Sequence, residues 1–339
     1  MATRKQRRKQ RKAKQRQRRQ QRKAAQQERR RLRLAEQSGQ WAEQADRETE
    51  ALARWWAART GYDTSPGSPA DADWSVILDE IDASDPHLSA ELAAQIVMET
   101  GNEEALAEAL AKDPDCLDAH VVTLEWREED GGPITRPDVH RLQERLLRVS
   151  SRPEQQARLA AVAAGEQPPE LAGPFRRTLE FLLIHHRVVA NREDKLDWAA
   201  SLARIDPHAA AFWRPAQLAW RLHDGRSEAA IALASGPEPE IPDLAWHAAV
   251  ALERCLAGDP VAAAERCARA EALELGWMAF LLEQGLELAG DSQPQPDEEL
   301  EMSVDQALID ALAAAWAAHP EALAWLRAHL PPDEDDETA

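Results

Sequence analysis

Three cysteines, Cys116, Cys255 and Cys267, are all that the 339 residues contain, and they stand far apart with no CxxC pair. That excludes a disulfide framework and a zinc knuckle, and suits small buried residues in a reducing compartment. Tyrosine occurs once, at Tyr62, and phenylalanine four times, so aromatic content rests on 12 tryptophans. Lysine all but disappears after the N-terminus, leaving Lys112 and Lys195. No stretch approaches the roughly 18 to 20 consecutive apolar residues of a membrane span. No apolar run occurs before Leu32 and Leu34; this excludes a secretory signal, and the segment also lacks the Ser content and Leu face of an organellar transit peptide. The expectation is a cytoplasmic protein, and its Ala, Arg and Glu bias is that of a GC-rich bacterial gene.

Catalytic motifs are missing too. There is no HExxH, no HxE with PCxxC, no GxxxxGK[ST], no GxSxG and no GxGxxG. His185 and His186 are adjacent and so fall on different faces of a helix, unlike a metal-binding i, i+4 pair. Acid pairs such as Asp79 and Glu80 read as solvated faces of a very acidic chain. The sequence therefore predicts no enzyme, no cofactor and no metal site.

What is present is separated charge. Residues 1 to 34 hold 17 Lys and Arg against one acid, Glu28, a net +16; the rest carries 24 basic against 59 acidic side chains, a net −35. The cations are Arg4, Lys5, Arg7, Arg8, Lys9, Arg11, Lys12, Lys14, Arg16, Arg18, Arg19, Arg22, Lys23, Arg29, Arg30, Arg31 and Arg33. The stretch is built of helix formers without Gly or Pro, and its self-repulsion predicts loose order unless an anion neutralises it. Such a segment suits sequence-independent binding of a nucleic acid, because each neutralised phosphate releases condensed counterions. With no aromatic residue there, base stacking is excluded and contact is to the backbone. A solubility tail, anionic lipid, and docking on the acidic body remain alternative readings.

Punctuation by Pro and Gly divides the chain into a basic arm at 1–37, an amphipathic helix at 38–62, a linker at 63–72, a helical body at 73–290, an acidic, Pro-containing linker at 291–302, a terminal helix pair acting as a cap at 303–330, and a disordered acidic tail at 331–339. Helix, short turn, helix is the pattern from Asp73 onward, with no run of alternating β-branched residues, so the fold class is all-α.

Within the body two independent features share one beat. Turns at Asn191, Gly225, Gly258 and Gly290 are 34, 33 and 32 positions apart, and the bulky residues Leu179, Trp213 and Trp246 are 34 and 33 apart. In WHAAVALERCLAGDPVAAAERCARAEALEL, Trp246 takes a bulky first-helix position, Gly258 the turn, and Ala263 and Ala270 the small positions of the second helix. This pattern resembles a degenerate tetratricopeptide repeat, clearest over about 170–290 and weaker over 85–165. Lys195 and Leu196 depart from it where a small residue is expected, and the helix after Gly225 ends early at Gly236-Pro237.

The resemblance implies antiparallel helix pairs stacked in a right-handed superhelix, with first helices lining a concave groove. Its register places Glu180, Arg214 and His247 in one inward row and Arg187, Arg221 and Arg254 in another. Guanidinium groups suit carboxylates, so the row predicts a site for an acidic segment of a protein or peptide partner. The alternative is that arginines near helix C-termini complement the helix dipole and pair with local Glu. Two functions follow as expectations: a protein-binding scaffold with a polyanion-binding arm, or a nucleic-acid-associated protein whose arm is the working element and whose acidic body modulates it.

Overall fold

The computed structural model describes residues 83–185, 192–238, 244–274, 276–289 and 304–330, together with Arg47, Ala51, Arg54 and Ile81. The basic arm, both linkers, the acidic tail and most of the expected amphipathic helix lie outside the described residues. Fifteen α-helices and one short 3-10 helix can be bounded, and no strand occurs among the described residues. The expected all-α class holds.

Helix boundaries follow from a repeated local device. Asp85, Asp206 and Asp259 each precede a proline, and each carboxylate accepts a hydrogen bond from the backbone N–H three residues on, at 3.1, 2.9 and 3.0 Å. The carboxylate satisfies a helix-end donor, and proline fills the first helical position at no cost in hydrogen bonding. Ser227 caps the same way at 3.2 Å. Thr135 and Asp138 form a reciprocal capping box.

The described residues fall into two compact units, divided between Lys112 and Asp113. In the first, α1 (Pro86–Thr100) and α2 (Glu103–Lys112) form a hairpin. Gly101 closes α1 at φ 67°, where a side chain would be strained, and its N–H returns to the Val97 carbonyl at 2.7 Å. Leu88, Leu92 and Val97 of α1 are buried together with Ala105 and Ala109 of α2.

The second unit runs α3 (Leu117–Glu129), α4 (Arg136–Ser150), α5 (Pro153–Ala163), the 3-10 helix Pro169–Ala172, α6 (Gly173–Ile184), α7 (Arg192–Ile205), α8 (Pro207–Phe212), α9 (Arg214–Leu222), α10 (Glu228–Ala234), α11 (Leu244–Leu256), α12 (Pro260–Leu273), α13 (Trp277–Ala289), α14 (Val304–Ala317) and α15 (Pro320–His329). Sequence neighbours pair: α6 with α7, α9 with α10, α11 with α12, and α13 with α14. The periodic residues Leu179, Trp213 and Trp246 are all buried, the two tryptophans at 1% exposure. Gly225 and Gly258, at φ 108° and 73°, make the turns of two successive pairs.

One feature departs from an array in which each pair meets only its neighbours. Helix α14 packs on α9, α11 and α6, the first helices of three earlier pairs, as well as on α13 and α15. Those first helices are accordingly buried on nearly all sides: Ala245 to Glu253 of α11 form an unbroken buried run. A helix buried on so many sides needs cover on all of them. Helix α14 meets that need with Ala307, Leu308, Ala311, Leu312, Ala313, Ala315 and Trp316. Helix α14, part of the terminal pair expected as an end cap, thus lies along the side of the first helices.

Candidate functional site

The residues expected to line the wall have specific surroundings. Arg214 donates from Nη2 to the Pro237 carbonyl at 3.0 Å, and its guanidinium lies 4.8 Å from the Trp246 ring centroid. It therefore ties the α10–α11 connection to the start of α11, and the cation sits over an indole face. His247 is buried at 5% exposure, with Nδ1 3.4 Å from Arg266 Nη1. Arg266 also pairs with Glu238, and this guanidinium contact, opposed by slight burial, holds the Glu238 carboxyl below the usual range.

Arg254 lies 3.4 Å from Glu253, a carboxylate 1% exposed that also accepts from Arg226 Nε at 2.7 Å. Arg221 lines a shallow depression of 240 Å³ with Leu196, Asp224, Gly225, Arg226 and Ser227. Glu180 sits 3.7 Å from Arg176 one turn earlier. Arg187 lies outside the described residues. The structure thus brings Arg221 and Arg226 to one depression, but Asp224 lines it too and Arg226 is bonded to Glu253. Arg214, His247 and Arg254 have separate partners and do not line that depression.

A second charged region, at the α3–α6 packing, was not singled out from sequence. Arg177 and Asp118 form a buried bidentate pair, Nε–Oδ1 2.9 Å and Nη2–Oδ2 2.5 Å, with side chains 4% and 0% exposed. Nearby, burial pushes the Glu125 carboxyl up to about 7; Arg177 opposes this, and Glu129, Asp118 and Glu128 reinforce it. His185, 2% exposed, is pushed down to about 4 by burial, with Nε2 3.7 Å from Glu128. The only sequence signal was charge inside otherwise apolar runs, LDAHVV and FRRTLEFLLI. Two opposite charges in fixed bidentate geometry fix the register of two helices, and the Glu125 carboxyl beside them can exchange its proton near neutral pH.

The remaining polar groups follow structural patterns. Asp138 accepts from Arg127 at 2.5 Å and from Thr135 and Arg141, so its carboxyl lies well below the usual range despite burial. Burial raises the Cys267 thiol to about 12 and also raises Cys255, so both are protonated and poor nucleophiles at neutral pH. Among the described residues no group of three His, Cys, Asp or Glu is placed to hold a metal ion, and no helix is long and apolar enough to cross a membrane. No family model, curated protein or solved structure matches the chain.

Proposed function

We propose that this chain is a non-enzymatic interaction protein: a scaffold of degenerate tetratricopeptide-like helix pairs that holds a partner segment and carries a polyanion-binding basic arm. The observation that carries the reading is the repeated hairpin, with Trp213 and Trp246 buried at equivalent positions and Gly225 and Gly258 turning the chain at equivalent ends. Hairpins repeated at this interval build long surfaces from similar units, which suits recognition by shape. The arm adds long-range attraction, raising encounter rate with an anionic partner, while the helical body selects.

The second reading is a nucleic-acid-associated protein in which the arm is the working element. It is favoured by the charge division, +16 in residues 1–34 against −35 in the remainder. Here the acidic body competes with phosphate for the arm and limits non-specific binding.

Salt titration of the full chain and of a chain lacking residues 1–34, against RNA and DNA by electrophoretic shift, separates the readings when run beside protein capture. The scaffold reading expects a protein partner retained without the arm; the second expects all binding to disappear with it. Salt-independent polyanion binding, or binding unaltered by loss of the arm, contradicts the role given to the arm in both.

A further inference from the structure

We infer that the outer face of α4 is a docking surface for an acidic segment of another protein, held by Arg141, Arg145, Arg148 and Arg152. This rests on the scaffold reading above, names the chemistry of the segment it holds, and places that segment on α4 in place of the arginine row of the repeats. The four residues follow one another at steps of four, three and four. On a helix such steps keep to one face, so the guanidiniums form a ridge about 16 Å long.

The ridge is an exception in an acidic body. From Arg136 to Arg152 the chain carries five arginines against Asp138 and Glu144, whereas all residues after 34 carry 24 basic against 59 acidic side chains. Exposure separates the two signs further. The carboxylates that pair with the ridge lie beneath it: Asp113 and Asp138 are buried and Asp115 is half-buried. Above them Arg141 and Arg148 are 60% and 53% exposed. Solvent on this face therefore meets cations first.

Those carboxylates also set the cations in place. Arg148 donates to Asp115 from Nε and Nη2 at 3.2 and 2.7 Å, and Arg152 donates to Asp113 from both Nη groups at 2.6 and 3.1 Å. The hydrogen bond from Arg148 outweighs burial and holds the Asp115 carboxyl below its usual range. Arg141 donates from Nη2 to Asp138 at 2.9 Å and from Nε to the Pro137 carbonyl at 3.2 Å. Arg145 Nε stands 3.9 Å from Asp115, beyond hydrogen-bond reach. A guanidinium has five N–H donors, and the Nη1 groups of Arg141 and Arg148 take no part in these pairings. Long side chains already ordered lose less entropy when a carboxylate arrives, and the planar fork suits that ligand.

A peptide fits this face better than a nucleic acid does. No Trp, Tyr or Phe occurs between Arg136 and Arg152, so bases have nothing to stack on. A long polyanion would extend past the ridge into the acidic body, whereas a short acidic segment meets the ridge alone. Leu147, 63% exposed on the same helix, offers an apolar contact to a peptide side chain. Glu144, exposed and 3.4 Å from His140, opposes an anion at the edge of the ridge.

The test uses the full chain and a short fluorescent peptide of alternating Asp and Glu with one central benzoylphenylalanine. Because the basic arm also attracts such a peptide, location is read by photocrosslinking and peptide mapping. Crosslinks within 136–152 are expected, and crosslinks confined to residues 1–34 overturn the inference. Arg141→Ala with Arg148→Ala should lower the α4 crosslink about tenfold at low salt, while Arg221→Ala leaves it unchanged. Glu144→Gln leaves the pairs with Asp113, Asp115 and Asp138 intact and should raise it about twofold, a readout free of any folding defect in the arginine variant. No rise in Glu144→Gln overturns the inference. An RNA oligonucleotide that displaces the peptide from α4 as well as unlabelled peptide does makes this a phosphate site and overturns it too. So does a rise of tenfold or more on deleting residues 331–339, which assigns the ridge to the chain's own acidic end, or self-association lost in the arginine variant, which assigns it to a second copy. The assay involves no cellular partner: its failure leaves the scaffold reading standing with another contact surface, and failure of protein capture by the parent chain counts against the scaffold reading whatever the peptide does.

Discussion

Two regions of the second unit are held together by opposite chemistries. Between α3 and α6 the packing includes a full ion pair, Asp118 with Arg177, and two groups whose protonation burial shifts, Glu125 and His185. Around α11 the interior is mostly Ala, Leu and Trp, with Trp213, Trp246 and Trp316 each at or below 1% exposure, and the buried carboxylate of α11 is Glu253, paired with the half-exposed Arg226 and Arg254. The first region fixes one geometry by charge and pays in desolvation; the second gains from buried apolar area. The contrast is between packing set by charge at α3–α6 and packing set by apolar area at α9–α14.

The largest effect is expected from separating the ion pair. Asp118→Ala leaves a guanidinium 4% exposed without its carboxylate and should cost about 4 kcal/mol in chemical denaturation. Replacing both partners with apolar residues should recover much of that loss; if the double variant is as unstable as the single one, the cost lies in packing and the contrast fails. Trp246→Ala in the apolar region should cost about 3 to 4 kcal/mol through the cavity it leaves. It also removes the ring under Arg214, so the loss should be nearly independent of pH.

Proton binding sharpens the comparison further. Glu125 sits at about 7 in the fold against 4.5 unperturbed, so the folded state holds its proton more tightly. The stability this gives is complete below about pH 4.5 and is lost as pH rises to about 7. His185 works in reverse: held at about 4 against 6.5, it contributes stability that is gained between about pH 4 and 6.5 and lost as pH falls through that window. The two oppose each other between about pH 4.5 and 6.5, so the parent chain should show a shallow profile there. Glu125→Gln removes one side of the balance and should gain on the order of 2 kcal/mol relative to the parent between pH 4.5 and 8, read from denaturation midpoints at each pH. A pH-independent difference would remove the assigned burial of Glu125. The smallest effect belongs to a cap: Asp259→Ala should cost about 1 kcal/mol by freeing the Ala262 N–H, measured as a shift in melting temperature.

The all-α class and the beat of the second half were legible because Trp213, Trp246, Gly225 and Gly258 each obey a local rule: bulk in the core, or a positive φ at a turn. The Asp-Pro starts were equally plain, since capping acts within three residues. The charged packing of α3 on α6 was not, because Asp118 and Arg177 are 59 positions apart and each alone reads as a surface residue. The cover over α11 was hidden for a related reason. ALAAAWA, at 311–317, announces a helix that must be buried, but not which earlier helices will bury it. Arg214 read as a cation lining a wall; in the fold it bonds the Pro237 carbonyl and lies over Trp246, contacts 23 and 32 positions away that the local sequence does not signal.

The placement of α14 across the first helices of the earlier pairs shapes the whole second half of the unit. Spin labels introduced as unnatural amino acids at His223 and Ala318, both exposed and flanking the His319 to Leu222 contact, test this placement directly by pulsed electron resonance. A single short and narrow distance distribution in the parent chain is the predicted result. A broad distribution reaching to long separations, in a chain that remains helical, would contradict it.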